Sequence, residues 1–105
     1  MRVAHFVAVF CGSLFAAGPV LAHSPLISCF YDDETTITCE AGYSDGASAA
    51  GGVIRVVDGD ERLLTEGRFS ENSTFTLKKP ESPVFQIIFI GDTAHEAGVF
   101  NDEIF

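Results

Sequence analysis

Residues 26–41 read "LISCFYDDETTITCEA", and their pairing decides the fold. Two alternating stretches flank an acidic tip, Asp32-Asp33-Glu34. Setting Cys29 opposite Cys39 in an antiparallel hairpin puts Ile27 opposite Ala41 and Tyr31 opposite Ile37, all on one face. The other face then carries Ser28, Phe30, Thr36, Thr38 and Glu40, which is mostly polar. A single register therefore sends both sulfurs to the apolar side and centres the turn on Glu34. A disulfide between Cys29 and Cys39 is the expectation.

The same alternation continues downstream. Strands are expected at Leu26–Tyr31, Thr35–Ala41, Val53–Asp58, Arg62–Glu66, Thr74–Lys78, Val84–Ile90 and Glu96–Phe100. Asp58-Gly59 signals a hairpin between the third and fourth. Ser70–Ser73 and the proline-bounded run Lys79–Pro83 mark further turns. In "TFTLKK" Phe75 and Leu77 point one way and the threonines the other. "VFQIIFI" is apolar on both faces, as a central strand should be. The small-residue stretch "SDGASAAGG", residues 44–52, reads as a long flexible loop. No segment keeps a helical period. Seven short strands in one small chain predict an all-β sandwich, with residues 23–105 forming a single domain.

Residues 1–22 read as a signal peptide. Arg2 gives a positive start, Val3–Phe15 is an uncharged apolar core, and Val20-Leu21-Ala22 supplies compact residues for cleavage. The apolar run is short for a membrane span and is broken by Gly12, Gly18 and Pro19. Cleavage after Ala22 removes Arg2 and no acid, taking the formal charge one unit below its full-length value of −9. So acidic a chain disfavours nucleic acid and anionic membrane surfaces, and no stable membrane anchor is expected after cleavage. Cleavage also removes Cys11, so Cys29 and Cys39 remain as an even pair for an oxidising compartment, the periplasm or the exterior. A core this small gains from such a staple.

Cleavage also changes the chemistry of "LAHSPLISC", residues 21–29. His23 becomes the first residue and offers two nitrogens, its α-amine and its imidazole Nδ1. Their ordinary pKa values, about 8 and about 6.5, let both lose protons to a divalent copper or nickel ion near neutral pH. Pro25 has no amide hydrogen and blocks a chelate running through successive backbone amides. The other histidine after the leader is His95, in "GDTAHEAGVF" beside Asp92 and Glu96. If that turn lies at the same end of the sandwich as the N-terminus, His23 and His95 share one metal, with Asp92 or Glu96 offering an oxygen.

Other motifs carry less. The spacing of the cysteines is not that of a zinc site. "DDE" at 32–34 sits at a hairpin tip, and "DGDE" at 58–61 lacks the bidentate glutamate a calcium loop needs. Asn72-Ser73-Thr74 matches the glycosylation acceptor pattern, which matters only in a eukaryotic host. There is no nucleophile elbow and no phosphate-binding glycine loop, so no enzyme is expected. The alternative to metal binding is a non-catalytic secreted protein-interaction module, with Phe100, Ile104 and Phe105 as contact points.

The run from Gly52 to Val99 resembles the carboxypeptidase-regulatory-like, transthyretin-like β-sandwich modules. Its landmarks are Asp58-Gly59, Gly67, Asn72, Phe75-x-Leu77, Pro80 and Pro83. "HSPLISCF" after a signal, followed by "TITCEAGYSDG", is similar to small periplasmic accessory proteins of energy-coupling-type nickel or cobalt uptake transporters. That resemblance implies His23 and His95 as ligands of a divalent transition metal ion (nickel, cobalt or copper) and a membrane metal-uptake transporter as partner. Ala94 stands where the family pattern places a glycine.

Overall fold

The computed structural model describes residues 23–92 and 95–105. The expected signal peptide, residues 1–22, lies outside the described residues, as do Thr93 and Ala94. Seven strands form: β1 (Pro25–Asp33), β2 (Thr36–Tyr43), β3 (Val53–Asp58), β4 (Leu63–Arg68), β5 (Thr74–Lys78), β6 (Phe85–Ile90) and β7 (Glu96–Phe100). They make two antiparallel sheets, ordered β1-β2-β5 and β4-β3-β6-β7. The all-β expectation holds. β4 pairs with β3, and the sandwich is three strands over four.

The hairpin register is the one the cysteines dictate. Cys29 pairs with Cys39, Ile27 with Ala41 and Tyr31 with Ile37, and the disulfide is formed. The tip differs by one residue. Asp33 pairs with Thr36, which leaves Asp32 as a bulge and Glu34-Thr35 as the turn. Side-chain hydrogen bonds favour that choice: Thr38 donates to Asp32, and the Asp33 carboxylate accepts from the Thr35 amide at 2.9 Å.

Between the sheets lie Cys29, Ile37, Cys39, Ile54, Val56, Leu77, Phe85, Ile87, Phe89 and Val99, joined by Ala49 and Phe69 from connecting segments. Strands β2, β3 and β6 contribute alternate residues, as the pleat requires, β1, β5 and β7 one each, and β4 none. Among the described residues no polar or charged side chain is buried. That cost of desolvation is avoided, and the core is held by apolar packing and one covalent bond.

The segment expected to be a flexible loop is tied down instead. Ala49 is buried in the core. Tyr43 N–H donates to the Ala47 carbonyl at 3.1 Å, and the Ala49 amide donates to Ser73 Oγ at 3.1 Å. Gly52 lies so close over the Phe89 ring that an added Cβ would meet it at 2.9 Å. The small residues Ala49 and Gly52 permit that close packing.

The tail is also placed. A 3-10 turn, Asn101–Glu103, follows β7, and Ile104 packs against the core. Phe105 bridges to the open edge of β1: its N–H donates to the Cys29 carbonyl at 3.1 Å and its carbonyl accepts from Tyr31 at 2.9 Å. The Phe105 side chain remains exposed. Among the described residues no helix is long and apolar enough to cross a membrane.

Candidate functional site

Antiparallel pairing gathers strand ends from both sheets at one end of the sandwich. Pro25, near the start of β1, pairs with Tyr43 at the end of β2. Val53 at the start of β3 pairs with Ile90 at the end of β6, and Ile90 pairs with Glu96 at the start of β7. The two sheets meet here, since a Cβ added to Gly91 would come within 3.2 Å of Pro25. His23 therefore emerges beside both the β2–β3 loop and the β6–β7 turn.

The backbone behind His23 is fixed by its neighbour. Ser24 N–H donates to Ser44 Oγ at 2.9 Å, and the Ser24 carbonyl accepts from the Ser44 amide at 2.8 Å. The imidazole lies flat on the Tyr43 ring, with centroids 4.2 Å apart and planes 7° apart. Tyr43 in turn meets the buried Phe89 edge-on at 5.5 Å. A chain of rings thus runs from the core to the histidine, each pair in a favoured aromatic geometry.

Two carboxylates hold the imidazole edge. Asp45 Oδ2 lies 2.7 Å from Nδ1, and Asp92 Oδ2 lies 2.9 Å from Nε2. A neutral imidazole can donate from only one nitrogen, so serving both carboxylates at once requires the protonated ring. Asp45 at Nδ1 is the main cause raising the His23 pKa above its ordinary 6.5; desolvation opposes this and Asp92 adds to it. In return the His23 ring, followed by the Ala47 amide, lowers the Asp45 carboxyl below its ordinary 3.8. The Ala47 amide donates to Asp45 Oδ1 at 3.0 Å, so both oxygens of Asp45 are engaged. The loop that aims Asp45 turns tightly. Gly46 donates to the Tyr43 carbonyl at 2.8 Å and sits at φ +91°, where glycine is favoured.

The predicted ligands fall as follows. His23 is at the centre of this cluster. His95 is exposed in the β6–β7 turn, its amide directed at the Asp92 carbonyl at 3.3 Å and its carbonyl accepting from Gly91 at 2.9 Å. Asp92 of the same turn is the residue whose carboxylate reaches His23. Glu96 opens β7 opposite Ile90. Cys29 and Cys39 are buried and bonded to each other, so no thiolate is offered. Among the described residues no three His, Cys, Asp or Glu side chains form a group able to hold a metal. A metal at His23 would need a non-side-chain donor, which is what an α-amine at residue 23 would be.

Two contributors, Tyr43 and Asp45, were not singled out from the sequence. The signal was present, because extending the cysteine register toward Pro25 carries β2 to Tyr43 and places "YSDG" beside the residues that precede β1.

The cluster is open to solvent, with His23 40% and Asp45 37% exposed. An ion could reach Nδ1 without the sandwich opening. No protein-family model matches the chain, and neither a curated protein nor a solved structure matches it.

Proposed function

We propose that this is a periplasmic or secreted carrier of a divalent transition metal, nickel, cobalt or copper. In this reading the chain is cut after Ala22, and the new α-amine and Nδ1 of His23 chelate the ion, with His95 as the second histidine. The ion is cargo. It is passed to a membrane uptake system of the energy-coupling kind, whose accessory proteins the sequence resembles. No bond-breaking chemistry is required, and a site with few ligands exchanges readily.

The observation that supports this most is the seating of His23. The β6–β7 turn that carries His95 lies against it, through Asp92 on Nε2. A carboxylate accepting from one ring nitrogen leaves the lone pair of the other for a metal, and such partners are the usual supports of metal-bound histidine. Here Asp92 can accept from Nε2, so once the ring gives up the proton it shares with Asp45, the lone pair lies on Nδ1, the nitrogen that can chelate with the α-amine. The disulfide fits an oxidising compartment.

The alternative, an interaction module, draws on Leu63, Val84 and Phe100, all about half exposed or more along the four-stranded sheet. One titration separates the two. Protein starting at His23 binds Ni²⁺ or Cu²⁺, and one extra residue ahead of His23 weakens binding by about tenfold or more, or about 1.4 kcal/mol. Equal binding by the extended protein removes the amine from the site and contradicts this reading.

A further inference from the structure

We infer that Asp45 is an oxygen ligand of the ion held by His23, and that Asp92 is a positioning residue that does not touch it. This rests on the metal-binding reading above and names the donor set of that site.

The geometry assigns the two carboxylates different roles. They face opposite corners of one ring, Asp45 at Nδ1 and Asp92 at Nε2. An ion chelated by the α-amine and Nδ1 lies on the Asp45 side. Two donors bound cis to one ion at about 2.0–2.1 Å each stand about 2.9 Å apart. Asp45 Oδ2 now lies 2.7 Å from Nδ1, where the ion would stand, so the carboxylate steps aside to a cis position on the ion while staying next to that nitrogen. The carboxylate need not be recruited from elsewhere, because the Ala47 amide holds its other oxygen at 3.0 Å. The ring cannot swing away either, since Tyr43 is stacked against its face at 4.2 Å and Asp92 holds the far nitrogen.

The resulting set is two nitrogens and a carboxylate oxygen, before any contribution from His95. With both cysteines in the disulfide it contains no soft sulfur donor. Such a set favours divalent nickel, copper or cobalt and disfavours monovalent copper. The charges agree: Asp45 and Asp92 supply two negative charges at the ring that holds the ion.

The test uses the chain starting at His23 and Cu²⁺ alone as probe, read by electron paramagnetic resonance and by competition affinity. Asp45→Asn is expected to weaken binding by more than about tenfold and to change the copper hyperfine pattern, since a carboxylate oxygen is lost. Asp45→Glu, which keeps a carboxylate, should recover part of the affinity. Asp92→Asn should leave the copper spectrum close to the parent's, while ¹⁵N spectra of the metal-free protein show the neutral His23 ring shifting between tautomers. If the parent binds Cu²⁺ and Asp45→Asn binds it equally with the same spectrum, Asp45 is not a ligand and only the chelate survives. If Asp92→Asn changes the copper spectrum as Asp45→Asn was expected to, the two roles are assigned wrongly. A parent that fails to bind Cu²⁺ overturns the metal-binding reading and this inference with it.

Discussion

Strand β1 is held in two different ways along its length. At its middle, Cys29 is buried and joined covalently to Cys39, with Ile37, Leu77 and Ile87 in the same core. Just before its start, His23 is partly exposed and held by two carboxylates and a stacked ring. The first attachment is indifferent to pH and closed to solvent. The second is electrostatic, sensitive to protonation and open to ions. The comparison separates stability from chemistry: the staple lets a small core persist, so the end of the sandwich can keep polar groups in exchange with water.

The sharpest way to break this comparison is to remove the staple. Replacing both Cys29 and Cys39 with alanine should lower stability by about 3 kcal/mol, by the chain-entropy relation for a loop of this size. Urea unfolding measures it. The His23 titration, followed by NMR in the folded protein, should be unchanged. A midpoint shift in that titration would mean that the two attachments are coupled.

The converse change is smaller in stability and larger in chemistry. Asp45→Asn should leave the urea unfolding midpoint close to the parent's, as for most exposed sites, while lowering the His23 midpoint. The signs follow from linkage. His23 has its pKa raised in the folded state, so its contribution is complete below about 6.5 and is lost as pH rises through the folded value. Asp45 has its pKa lowered, so its contribution is present above about 3.8 and is lost as pH falls through the folded value. The clamp is therefore strongest between those limits and loosens toward alkaline pH. A His23 midpoint that does not fall in Asp45→Asn contradicts the assignment of Asp45 as its main partner.

Much of the fold was legible because alternation and the cysteines agreed. A register chosen to bring Cys29 to Cys39 also sorted most neighbouring side chains by polarity, and β1–β2 adopts it. The strands at 53–58, 74–78 and 96–100 were bounded correctly because turn residues flank them. The bulge at Asp32 was not legible, since it depends on which side-chain hydrogen bonds form at the tip. Residues 44–52 were misread as flexible because small residues carry no period. What fixes them is the proximity of Phe89 and Ser73, which are distant in sequence. The site was half visible. His23 and Asp92 could be argued from composition and topology, whereas Asp45 required the path of that same loop.

The central claim is that residue 23 ends as a free amino terminus able to grip an ion with its own ring. Intact-mass spectrometry of protein recovered from outside the cytoplasm, under native conditions and after denaturation, tests it directly. The account predicts a denatured mass matching residues 23–105 with one disulfide, and a native mass greater by one divalent transition metal ion. A chain that starts elsewhere, or that still carries residues 1–22, would contradict it.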